Sequence, residues 1–158
     1  MSGRIRLAAL AVTVCLAASA SAASAQDREF RLTPAEIAAI PGGGAGPGSS
    51  GVAGIQTTVL YGDPTAPGPY TIRIAVPPNT RIAAHTHRDE RTAVVVSGDW
   101  YFGYGATAEE ALVKPLPPGS YYSEPAEVAH FALTRADPAV VYIFGVGPTD
   151  TVFTAAAH

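Results

Sequence analysis

Arg81-Ile82-Ala83-Ala84-His85-Thr86-His87-Arg88-Asp89-Glu90-Arg91-Thr92-Ala93-Val94-Val95-Val96-Ser97-Gly98-Asp99-Trp100 reads as two strands around a charged turn, then a tight turn into a third. Arg81 to His87 is extended, Thr92 to Ser97 is β-branched, and Gly98-Asp99 turns the chain into Trp100 to Tyr104. The same pattern runs outward in both directions. Upstream, Ile55 to Tyr61 is a strand candidate and Tyr70 to Val76 alternates strictly. Downstream come Val113 to Leu116, Tyr121 to Ser123, His130 to Thr134 and Val140 to Val146. Many short strands with Pro/Gly punctuation and no internal repeat predict one all-β barrel or sandwich.

Two short helices interrupt this pattern. Thr33 and Glu36 form a capping box with Pro34 at the first helical position, which predicts a helix over Leu32 to Ile40. Thr107-Ala108-Glu109-Glu110 predicts a second capped turn. Pro41 to Gly51 is nearly all Gly, Pro and Ser and reads as a linker.

The histidines carry the chemistry. Strand side chains alternate with period 2, so His85 and His87 fall on one face. Any alternating strand can place such a pair for structural reasons alone. A third imidazole, His130, from a distant strand closes a facial three-nitrogen metal site. Glu90 offers a conditional fourth ligand through oxygen, and the mixture suits one divalent iron, manganese, nickel or zinc ion. The last residue, His158, reads as a frayed end.

Residues 1–25 read as a Sec-type signal peptide. Arg4 and Arg6 precede the apolar run Leu7 to Ala18, and Ala23-Ser24-Ala25-Gln26 offers an A-x-A cleavage site after Ala25. The expected product is periplasmic or secreted, with no stable membrane anchor after cleavage. Cleavage removes Cys15, the only cysteine, so a metal must be held by nitrogen and oxygen. Of the 10 basic residues, removing Arg4 and Arg6 leaves 8 against 13 acidic ones, a formal charge of −5. Lys114 is the only lysine and no basic cluster exists, which argues against nucleic acid and favours a small-molecule ligand or substrate.

With these residues in place, the chain resembles a cupin. That family's motifs run roughly G-x5-H-x-H-x3/4-E-x6-G and G-x5-P-x-G-x2-H-x3-N. His85, His87 and Gly98 match the first, and Gly119, Pro125 and His130 match the second in register. The glutamate position falls on Arg91, with Glu90 one residue early, so a bulge is needed to bring Glu90 inward. Otherwise Arg91 points inward, an anchor for a substrate carboxylate. Glu127 stands at the second motif's glycine, Thr134 at its asparagine, and Asn79 is the nearest turn residue to the missing first glycine.

The resemblance implies a single double-stranded β-helix (jelly-roll) barrel over 52–158, preceded by a helix and linker over 26–51. It implies a homodimer and a mononuclear metal enzyme, dioxygenase-like, acting on a small oxygenated organic molecule. A Lewis-acid isomerase or lyase and a non-enzymatic binding module are the alternatives. Glu90, Arg91 and Tyr121 are the candidate catalytic side chains.

Overall fold

The computed structural model describes residues 29–44, 46 and 48–154. The signal-peptide reading and His158 lie outside the described residues. Among the described residues, ten strands form two five-stranded antiparallel sheets that face each other. One sheet takes the order β1 (Gln56–Tyr61), β2 (Gly68–Val76), β9 (Ala139–Gly147), β4 (Arg91–Ser97), β7 (Tyr121–Glu124). The other takes the order β10 (Val152–Phe153), β3 (Arg81–Thr86), β8 (His130–Leu133), β5 (Trp100–Tyr104), β6 (Lys114–Leu116).

Alternation decides the core. Tyr70, Ile72, Ile74 and Val76 of β2 are buried, as are Ala93 and Val95 of β4 and Val141 and Ile143 of β9. They meet Ile82, Trp100, Phe102 and Ala132 from the facing sheet. Gly98 makes the β4–β5 turn at φ +73, where a Cβ would meet the Pro138 carbonyl oxygen at 1.9 Å. Only glycine fits there, which explains why the motif closes on this residue.

Several expectations need correction. The N-terminal helix is shorter, α1 (Pro34–Ala39), with the Thr33–Glu36 capping box intact. Thr107 caps nothing: its hydroxyl donates to Glu109, and one 3₁₀ turn follows at Glu110–Leu112. Strand β10 was not foreseen. The segment read as linker packs on the barrel, with Gly43 bridging Thr57 and with Ser49 and Ser50 buried.

Among the described residues, two turns take left-handed backbone without glycine, at Asn79 (φ 54) and Glu127 (φ 60). Asn tolerates that region, but Glu strains it by roughly 1–2 kcal/mol. Glu127 is exposed, and its amide donates to the His87 carbonyl at 2.8 Å. Glu127→Gly relieves the strain, partly offset by the unfolded chain's extra freedom. The expected net gain is about 0.5–1 kcal/mol, seen as a melting temperature about 2–4 °C higher. An unchanged or lower melting temperature would remove the strain argument.

Candidate metal centre

Each sheet supplies half of the site. On the β3–β8 ladder, His85 stands opposite His130. A bulge between Ile82 and His85 makes this pairing. Without it, the inward face of Ile82 would pass to Ala84 and His85 would turn out. His87 follows just past β3. On the β4–β7 ladder of the facing sheet, Arg91 stands opposite Glu124, both on the inward face.

The structure brings His85, His87 and His130 together. All three are buried, and one ring nitrogen from each lies within 4.8 Å of the others. Each Nδ1 is committed to a backbone carbonyl: His85 to Ala83 at 2.7 Å, His130 to Val128 at 2.9 Å, and His87 to Asp150. A carbonyl only accepts, so each Nδ1 carries the proton and each Nε2 keeps its lone pair. The His130 Nε2 is buried with no hydrogen-bond partner. An orphaned acceptor beside two others of the same kind fits a metal ion. Burial lowers the pKa of His85 to about 4 and of His87 to about 3, the latter helped by Arg91, and lowers His130 as well. Neutral imidazole is the ligand form, so the site is prepared to bind without first shedding protons.

The charged turn splits four ways. Arg88 pairs with Asp150 across 2.9 Å. Asp89 accepts from the Tyr70 hydroxyl at 2.7 Å and the Thr149 hydroxyl at 2.6 Å. Glu90 is exposed and stands outside the histidine group, while Arg91 holds the inward position.

Arg91 is not a free anchor either. Its Nε donates to Glu124 at 2.7 Å, one Nη to the Gly48 carbonyl at 2.8 Å, and the other to both Glu124 and the His87 Nε2. Burial works against the Glu124 carboxylate, but the Arg91 guanidinium holds it at about 2. Glu124 Oε2 lies 3.7 Å from the His130 Nε2 and 3.9 Å from the His87 Nε2. The strand expected over Tyr121 to Ser123 extends by one residue to Glu124, and period 2 from Tyr122 turns that residue inward.

Tyr121 is 65% exposed and points away. Its neighbour Tyr122 lines the interior, where its oxygen accepts from the Trp100 indole at 3.1 Å. Burial pushes its pKa well above the ordinary tyrosine range, so it keeps its proton for donation.

These groups border a cavity of about 20 Å³, room for roughly one water. Residues 48–50 form one wall. The Gly48 carbonyl is tied to Arg91, the Ser49 carbonyl accepts from the Thr151 hydroxyl at 2.9 Å, and the Ser50 hydroxyl is buried without a partner. Phe102 and Tyr122, with ring centroids 4.2 Å apart, form another wall. Beyond them lies an open groove of about 470 Å³, also lined by Tyr104, Leu112, Lys114 and Tyr121.

No family model and no curated protein matches the chain. Solved structures show the fold. An RmlC-like cupin from Shewanella frigidimarina aligns at 16% identity with a TM-score of 0.54, over 69% of this chain and 85% of that one. A structure of the DMSP lyases RdDddP and RnDddQII aligns at 23% identity and TM-score 0.50. That match takes in 59% of this chain but only 47% of the lyase chain, so it spans about half of that protein. A cupin-like protein from Thermotoga maritima aligns at 16% and 0.50, over 63% of this chain and 77% of that one.

Proposed function

We propose that this cupin barrel is an exported, mononuclear metal-dependent enzyme acting on a small oxygenated organic molecule, in the manner of a dioxygenase. The observation that carries the reading is the set of three neutral imidazoles whose Nδ1 protons are spent on backbone carbonyls, one with an orphaned Nε2. His85, His87 and His130 would hold one iron, manganese, nickel or zinc ion. The ion would supply a Lewis acid or, if redox-active, a binding place for dioxygen beside the substrate.

The chain's own residues do the rest. Phe102, Trp100, Ile143 and Ala132 keep bulk water from the triad. Tyr122, which lines the same cavity, holds a proton at its hydroxyl. The substrate body has room in the groove beyond Phe102 and Tyr122, and reaching the triad requires one of those rings or the 48–50 segment to give way.

A second reading, a lyase or isomerase with no oxidant, rests on the Tyr122 and Glu124 pair, a proton donor and a carboxylate bordering one cavity. The fold shared with a DMSP lyase supports it only as far as architecture goes. Oxygen uptake during turnover separates the two. Export rests on the residues up to Ala25, and homodimer formation on the outward-facing, exposed Phe144 and Val146 of β9. Light scattering of the exported protein tests the latter. Among the described residues, no helix is long and apolar enough to cross a membrane.

The deciding experiment is metal content by mass spectrometry on exported protein beside His130→Ala. About one equivalent of a transition metal is expected in the parent and less than a tenth of that in the variant. A parent that stays empty after reconstitution with all four metals would end the enzyme reading.

A further inference from the structure

The buried pair Arg91–Glu124 has an asymmetry that bears on the metal. One Nη of Arg91 donates to two acceptors at once, the His87 Nε2 and the Glu124 Oε2. The third acceptor nearby, the His130 Nε2, has no donor and lies 3.7 Å from the same carboxylate oxygen. The guanidinium Nη thus holds, for two of these groups, the place that a smaller cation could hold for all of them.

Charge balance points the same way. Three neutral imidazoles, Arg91 and a divalent ion would together bury three positive charges, at a cost no hydrogen bond offsets. Glu124 is the only carboxylate among the residues lining the cavity. Asp89 is committed to Tyr70 and Thr149, and Glu90 is exposed.

Resting on the metal reading above, we infer that Glu124 is the carboxylate ligand of the ion, supplied from β7 directly across the ladder from Arg91. The position on β4 from which a carboxylate would reach the triad is occupied by arginine, and its cross-strand partner takes over the role. On loading, Glu124 Oε2 and His87 Nε2 would turn from the Arg91 Nη to the ion. Arg91 keeps its Nε on Glu124 and its other Nη on the Gly48 carbonyl, so it becomes a positioning residue behind the ligand.

The test must separate ligation from simple neutralisation of Arg91, because Glu124→Gln alone leaves that cation unpaired beside the triad. Co²⁺ affinity, by chelator competition, and the visible Co²⁺ absorption spectrum are measured for the parent and for the paired variant Arg91→Gln/Glu124→Gln. The paired variant keeps two hydrogen-bonding side chains and no charge, and far-UV circular dichroism confirms its fold. A ligand Glu124 predicts Co²⁺ affinity at least about 10–100-fold weaker in the paired variant, with shifted absorption bands. Arg91→Gln alone, its fold checked in the same way, keeps Glu124 and should bind Co²⁺ clearly more tightly than the paired variant. Equal affinity and an identical spectrum in the paired variant would overturn the assignment and leave the three-histidine centre standing. A parent that binds no Co²⁺ would overturn both.

Discussion

Acidification from about pH 7 to about pH 4.5 is expected to cost the metal-free protein most of its stability. The cause is burial of neutral histidine. In the unfolded chain an imidazole titrates near 6.5, whereas the folded protein holds His85 at about 4 and His87 at about 3. Below 6.5 the unfolded state therefore binds protons that the folded state refuses, and stability falls as pH falls. Over two pH units each of these two histidines contributes a loss of about 2–3 kcal/mol. His130 is shifted in the same direction. Glu124 joins below its unfolded value of 4.5, since Arg91 keeps it charged down to about 2.

A domain of this kind has a total stability of about 5–15 kcal/mol, so the midpoint of acid unfolding should lie near pH 4–5. Trp100, the only tryptophan, is buried against Tyr122 and reports the transition by fluorescence. A saturating metal competes with protons for the same Nε2 atoms and should move the midpoint to lower pH. Urea midpoints that stay flat between pH 7 and 5 would show that the triad is not held neutral by burial.

Much of this was legible in the sequence, for identifiable reasons. Period 2 is local, so β2, β4 and β9 could be read within a residue or two of their bounds. The two histidine motifs carried fixed spacings, and those placed His85, His87 and His130 together. Continuing the alternation of Ala93 and Val95 back by two residues puts Arg91, not Glu90, inward. What escaped was non-local or compositional. Period 2 from Tyr122 turns Glu124 inward, but its place beside the triad comes from its pairing with Arg91, 33 positions away. The bulge that turns His85 inward leaves no mark in Ala83-Ala84. Residues 48–50 carry too little apolar surface to announce burial, yet their small size lets them fit against the triad. Strand β10 has two residues and exists only because β3 offers it an edge.

Arg91→Met is expected to destabilise the fold by about 3–5 kcal/mol, measured by urea unfolding at neutral pH. Methionine fills much of the same volume, so the loss is electrostatic rather than a cavity. Arg91 and Glu124 are 2% and 3% exposed, and removing the guanidinium strands a carboxylate where water cannot reach it. It also frees the Gly48 carbonyl, one of the ties that seat the 48–50 segment. The sign of the pH dependence then reverses for Glu124. With Arg91 present its folded pKa is depressed, and the pair contributes stability above about 4.5. Without Arg91, burial dominates and the folded pKa rises, so the deficit should grow as pH climbs through the unfolded value. The companion variant Arg91→Met/Glu124→Leu removes both charges and should recover to within about 1 kcal/mol of the parent, since well-packed apolar pairs replace buried ion pairs at little cost. If the double variant were as unstable as the single one, the loss would belong to the Gly48 tie or to packing. If Arg91→Met cost less than about 1 kcal/mol, the buried pair would not be the constraint that sets the inward face of the β4–β7 ladder.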